Sequence, residues 1–265
     1  MNYQINLGIL TAIFGDSIPL LLGILFIFTV VAAAYLLGSI NSAIIISKVI
    51  YHDDIRRHGS GNGGTTNMLR TFGAKAALLT LLFDMLKTVL AVGIAGFLFG
   101  FQYVVGAVSV SELCYIAGIC AVIGHVFPIY HKGKGGKGVL CAATMGLMLS
   151  PLLFLALLLI FVLIVATTKY VSLGSVVSVG LYPVVLHAFI KVLYPTAALS
   201  GLITVTTIAL ALLIGWCHRG NLKRVMEHTE RKISFKKKAA PAPSEDEAAV
   251  QLPDSQTANE GTETK

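Results

Sequence analysis

The sequence predicts an all-α, polytopic membrane protein of about seven transmembrane helices, N-terminus out and C-terminus in. Three observations carry this. Of the 265 residues, 55% are hydrophobic and only 12% charged, with a mean hydropathy of +0.80, a composition foreign to soluble domains. The apolar residues gather in stretches of span length separated by polar loops. Lysines and arginines sit in loops beside those stretches and after the last one, as the positive-inside bias requires. The net charge of +7 reflects that bias. No helix-turn-helix, zinc-finger or aromatic platform accompanies it, so nucleic acid is not an expected partner. Cys114, Cys120, Cys141 and Cys217 make no close CxxC pair. They read as small buried side chains, and no metal centre is expected.

The elements follow in order. Residues 1–24 form an N-terminal extension without a basic stretch and small-residue cleavage site, so the first apolar segment reads as a retained anchor. The apolar stretch over 20–50 is longer than the roughly 30 Å hydrocarbon core needs, and the first span is expected at 26–49. A polar loop at 51–73 leads to a second span at 74–100, which holds Asp84 and Lys87. These two are three residues apart and can pair; as intramembrane charges they are either functional or a structural ion pair. The loop 101–111, free of lysine and arginine, leads to a third span at 112–128.

Residues 138–168 as one helix would measure roughly 45 Å, too long for a bilayer. Ser150-Pro151 supplies a break, because proline cannot continue the helix before it. Two crossings also place Lys132, Lys134 and Lys137 on the same side as the basic residues after 217. Spans at 171–190 and 197–217 complete the membrane domain, bounded at 25–235. Residues 236–265 open on Lys236-Lys237-Lys238 and continue in Ala, Pro, Ser, Glu and Asp. That composition cannot bury a core and is expected to be disordered. The lysines favour anionic lipid headgroups by about 1 kcal/mol each.

Four polar blocks stand out from this frame. The first is Asp54-Ile55-Arg56, the run Gly59-Ser60-Gly61-Asn62-Gly63-Gly64-Thr65-Thr66-Asn67, and Arg70. Its hydroxyls and amides can hold a polyol or fix the loop, and Arg70 can bind a phosphate through two N–H groups. The second runs from His125 through Phe127-Pro128 to Lys134-Gly135-Gly136-Lys137-Gly138. Glycines let backbone amides approach an oxyanion, and the lysines add charge. It is not a P-loop, since the GxxxxGK[ST] spacing is missing. Lys132 reads as a snorkelling anchor. The third is Lys169-Tyr170-Val171-Ser172-Leu173-Gly174-Ser175, whose serines can face a site or bond back to their helix. The fourth is His218-Arg219-Gly220-Asn221-Leu222-Lys223-Arg224, continuing to Thr229-Glu230. On a helix His218, Asn221 and Arg224 fall close to one face.

Together the blocks resemble the acyl-phosphate-dependent glycerol-3-phosphate acyltransferases, the PlsY family. The resemblance runs from Tyr35-Leu36-Leu37-Gly38-Ser39 to Ile233, about three quarters of the chain. Departures from the family pattern are Asn41, Gly63, Thr65, Gly133, Leu140-Cys141, Lys169 and His228. The resemblance implies acyl transfer from acyl phosphate to the 1-hydroxyl of sn-glycerol 3-phosphate, giving lysophosphatidate and inorganic phosphate. It implies Ser60, Lys137, His218 and Asn221 as catalytic residues. Arg56, Asn62, Asn67, Arg70, Lys134, Ser175, Arg219, Arg224 and Glu230 are the implied substrate-binding set. It implies no metal, no cofactor and no CoA. The location is then the bacterial plasma (inner) membrane, with membrane lipids as surroundings and the site on the cytoplasmic side. An acyl phosphate is already activated, so the enzyme's work is to bring two anions together and stabilise an oxyanion. His218 is accordingly expected to position the acceptor rather than act as a strong base. No histidine is followed by aspartate at the fifth position, which separates the chain from the CoA-dependent glycerolipid acyltransferases. Two rival readings are a carrier for phosphorylated metabolites and a non-catalytic scaffold. The first expects midplane cations and often internal repeats, whereas here the basic loops gather on one side and no repeat appears; the second leaves the glycine-rich loops without a use.

Overall fold

The computed structural model describes residues 20–99, 112–193 and 200–233, with Ile9, Ile13 and Pro195 besides. Most of the 1–24 extension, the 101–111 loop and the whole of 236–265 lie outside the described residues. Among those described are ten α-helices and no strand. In order they are α1 (Leu20–Ser39), α2 (Ser42–Ile50), α3 (Thr65–Phe72), α4 (Ala74–Phe99) and α5 (Glu112–Val126). Then come α6 (Val139–Leu149), α7 (Pro151–Thr168), α8 (Val171–Leu193), α9 (Gly201–Cys217) and α10 (Arg219–Met226). Short 3-10 turns at Ile55–Arg57 and Ile129–His131 shape the two glycine-rich loops.

Five helical segments are long and apolar enough to cross a membrane: Leu21–Ile50, Ala74–Leu98, Glu112–His131, Pro151–Thr168 and Val171–Leu193. A sixth is the pair α9 and α10, bent by 58° where they join. Helix α6 is apolar but shorter. The expected break at Ser150-Pro151 is present: Pro151 opens α7, and the Ser150 N–H closes α6 on the Gly146 carbonyl at 2.8 Å.

The first span differs from expectation. Instead of an unbroken helix over 26–49, α1 stops at Ser39 and α2 starts at Ser42. Asn41 is the cause. Its backbone is extended (φ −89°, ψ 103°), and its side chain caps α2 by accepting the Ile44 N–H at 3.0 Å. An asparagine side chain that bonds locally competes with the helix ladder and ends it. The same amide donates to the Gly63 carbonyl at 3.1 Å, tying the break to the first glycine-rich loop.

Lipid tails are as apolar as leucine, so the helices hold together by close packing rather than by exclusion of water. Small residues permit this. A Cβ at Gly38 would overlap the Ala121 carbonyl, and one at Gly124 the Tyr35 carbonyl, so α1 and α5 meet backbone to backbone. Val30, Tyr115, Met145, Leu153, Leu210 and Ile214 fill the core between helices. Leu152, Leu155, Leu159 and Leu163 on α7 face outward, as a lipid-facing helix requires.

Candidate active site

The helices leave their polar connections in mutual contact. The Gly63 N–H donates to the Gly135 carbonyl at 3.3 Å, and Arg56 Nη1 to the His131 carbonyl at 3.3 Å, joining the two glycine-rich loops. Arg70 Nη2 reaches the Arg231 carbonyl at 3.2 Å, and the Ile233 N–H the Lys169 carbonyl at 2.9 Å. The four blocks that are far apart in sequence thus converge.

Their centre is Glu230. Its Oε1 accepts from Asn221 Nδ2 at 2.7 Å and from Ser172 Oγ at 3.0 Å, and its Oε2 from Arg224 Nε at 2.7 Å. The Glu230 side chain is only 6% exposed. Burial pushes this carboxyl up, but the hydrogen bonds from Asn221, Arg224 and Ser172 outweigh it and hold the pKa below its usual value. The other side of Asn221 takes a hydrogen bond from Lys137 Nζ. Lys137 is lowered to about 8, first by burial and then by the nearby Arg224 and Arg70, against the pull of Glu230. It therefore carries its charge at neutral pH in a partly dry setting, where a charge acts most strongly.

His218 lies between α9 and α10 and is buried. Its Nδ1 sits 2.8 Å from the Ile214 carbonyl, which can only accept, so Nδ1 carries the proton and Nε2 the lone pair. Burial, then the Lys137 charge, pull its pKa down to about 4. Helices α3 and α6 start directly from the glycine-rich loops with no side-chain cap. Their first amides remain available to an anion, and the helix dipoles favour one there.

Other expected site residues are engaged elsewhere. Asn67 is buried, and its amide is committed to the loop: Nδ2 donates to the carbonyls of Ile55, His58 and Asn62, and Oδ1 accepts the Ser60 N–H. It sets the loop's shape, one of its two expected uses, and its amide hydrogens are spent on the loop itself. Arg56 clamps the two loops: Asp54 takes its Nε and Nη2, and the His131 carbonyl its Nη1. Ser175 takes the second of the two readings open to it: its hydroxyl bonds back to the Val171 carbonyl at 2.8 Å. It lines an apolar cavity of about 80 Å³ between α6, α7 and α8. Arg219 lies over the Trp216 ring at 4.2 Å and donates to the Trp216 carbonyl. Ser60 and Lys134 are exposed on their loops, and Asn62 is half-buried on the first. Ser172 joins the Glu230 cluster although a serine on a helix usually bonds to its own backbone; its place beside Tyr170 at a span's start was the only signal.

Fold and site define a polytopic membrane protein whose loops gather cations and free amides, the class of proteins that handles anionic ligands at a bilayer. The glycerol-3-phosphate acyltransferase family model matches residues 27–228. A glycerol-3-phosphate acyltransferase of Clostridioides difficile (strain 630) is 41% identical over 212 residues, covering 78% of this chain and 96% of that protein. One from Enterococcus faecalis (strain ATCC 700802 / V583) is 42% identical over 205 residues, covering 76% and 89%. The crystal structure of PlsY (YgiH), an integral membrane glycerol 3-phosphate acyltransferase in its glycerol 3-phosphate form, superposes with a TM-score of 0.67. It is 30% identical and covers 79% of this chain and 96% of that one. The chain belongs to the glycerol-3-phosphate acyltransferase family. It is a membrane acyltransferase of phospholipid biosynthesis.

Proposed function

We infer that the protein transfers a fatty acyl group from acyl phosphate to the 1-hydroxyl of sn-glycerol 3-phosphate, releasing 1-acylglycerol 3-phosphate and inorganic phosphate. The observation that carries this is the cluster of Lys137, Arg224 and Asn221 around the buried Glu230, joined to a glycine-rich loop. Two phosphate-bearing substrates need such charge and such donors, and a donor that is already an anhydride needs little else. The acceptor oxygen attacks the acyl carbon, the carbon–oxygen bond to phosphate breaks, and phosphate leaves with the electron pair. Lys137 holds a phosphate and Arg70, Arg224 and Lys134 offset the remaining charge. His218 Nε2 accepts a hydrogen bond from the attacking hydroxyl and orients it. The proton passes to a phosphate oxygen. Purified protein given acyl phosphate and glycerol 3-phosphate should release phosphate, and given acyl-CoA instead it should release no free CoA thiol. Turnover with acyl-CoA alone would overturn the donor assignment.

Positioning by His218 has its own test. A group lowered to about 4 is uncharged across the neutral range and makes a weak base. His218→Gln keeps a donor and an acceptor but cannot titrate. It should retain substantial activity and follow the wild-type acid limb from about pH 5 to about pH 7. Activity near background with that limb abolished would make His218 the base instead.

The membrane arrangement is seven spans, N-out and C-in: the five long segments, α9 and α6. The convergence of the basic loops supports one common side for them, and the positive-inside bias makes that side cytoplasmic, in a bacterial plasma membrane. Cysteines introduced at Thr71, Lys132 and Ser244 should react with an impermeant thiol reagent only after the membrane is opened. Labelling at any of them in intact cells would break the arrangement.

A further inference from the structure

Asp84, Lys87 and His125 form a buried polar cluster that the reaction as described does not use. Lys87 Nζ donates to Asp84 Oδ1 at 2.8 Å, to the Ile40 carbonyl at 2.9 Å and to His125 Nδ1 at 2.8 Å. An ammonium has three donors and no acceptor, so all its capacity is engaged and Nδ1 supplies the lone pair. Asp84 Oδ1 also accepts from Ser42 Oγ at 3.0 Å. All three charged or titratable groups are at most 4% exposed. An ion pair alone would explain two of them, but not the direction in which the cluster extends.

At one end Lys87 takes the Ile40 carbonyl, which the α1–α2 break has released from the helix ladder. At the other end lies the second glycine-rich loop. The His125 carbonyl accepts the Gly136 N–H at 3.0 Å, and the Val126 carbonyl the Gly135 N–H at 3.2 Å. The His125 ring lies directly on Gly136, where any Cβ would overlap Nε2. The opposite side of the loop is held by Gly63, itself anchored by Asn41 at the same helix break. Gly136 immediately precedes Lys137. The loop is therefore gripped between two contacts that both lead back to residues 40–42.

We propose that Asp84, Lys87 and His125 are positioning residues that act through the backbone of Gly135 and Gly136 to aim Lys137 at its phosphate. The cluster touches no reacting atom. Its output is the geometry of the loop, and it rests on the reading of Lys137 as a phosphate ligand.

A double-mutant cycle tests it. His125→Asn keeps an acceptor for Lys87 and leaves the Asp84–Lys87 pair intact, but removes the ring from Gly136. In folded protein it should lower kcat/KM at least about tenfold. In a Lys137→Ala background the same change should cost less than about twofold, because its target is already gone. The charge-neutral pair Asp84→Asn with Lys87→Met should repeat the pattern. Equal losses in both backgrounds would overturn the proposal, as would wild-type kinetics in folded His125→Asn. Failure of both variants to give folded protein would assign the cluster to assembly and overturn it too. Near wild-type kinetics of Lys137→Ala alone would fail the reading of Lys137, a result separate from additivity in the cycle.

Discussion

Lys137→Ala should cut turnover at least about a hundredfold, the usual scale for removing an electrostatic donor from a site. The side chain is oriented by its bond to Asn221 Oδ1 and shares its surroundings with Arg224 and Arg70. An alanine leaves those cations in place but removes the one that directly follows Gly135 and Gly136. The charge itself is testable without truncation. With a pKa lowered to about 8, Lys137 loses its proton as the pH rises through that value, so wild-type kcat/KM should fall on the alkaline side. Lys137→Arg stays charged throughout and should lack that limb while binding less well, since a planar fork replaces a point charge. Lys132→Ala, at an exposed position on the same loop, should be mild. Near wild-type kinetics in a folded Lys137→Ala protein would remove Lys137 from the reaction.

Glu230→Gln should lower kcat/KM by about tenfold to a hundredfold and stability by about 1–3 kcal/mol. The carboxylate accepts from three side chains at once, Ser172, Asn221 and Arg224. An amide offers one oxygen, so if it keeps Ser172 and Asn221 its NH₂ faces the Arg224 N–H, donor against donor. Either Arg224 swings away or Asn221 turns over, and Asn221 holds Lys137. The two readouts separate the effects: thermal unfolding reports the lost bonds, and kcat/KM in the surviving fold reports the misplaced cations. Unchanged kinetics with lowered stability would limit Glu230 to a structural role.

Much of this was legible in the sequence because it depends on local pattern. Length and apolarity announce α4, α5, α7 and α8, and Pro151 marks the α6–α7 break where it occurs. Asn41 departs from the family pattern, yet its effect on the helix is not legible there. Capping depends on whether its amide turns to its own helix and to Gly63, a partner 22 residues away. The roles within the polar blocks were the least legible. Arg56, Arg70 and Arg224 are the same residue type in similar surroundings. Only the fold sets Arg56 against Asp54 and His131 while leaving Arg224 on Glu230. Ser172 and Ser175 are likewise three residues apart on one helix, and they face a carboxylate and an apolar cavity respectively.

By itself the sequence determined the class of protein, the chemistry available to it and the blocks that carry it. Hydropathy and charge placement are sums over neighbouring residues, and the motifs are contiguous. What the tertiary structure decided is which of those polar groups remain for a ligand. A hydrogen-bonding side chain satisfied by the protein is lost to the substrate, and Arg56 and Asn221 each take a partner from another segment of the chain, His131 and Lys137. The same holds for Asp84, Lys87 and His125. Their residue types predict a cost in the membrane, but only packing brings Ile40, Gly136 and Gly63 together around them.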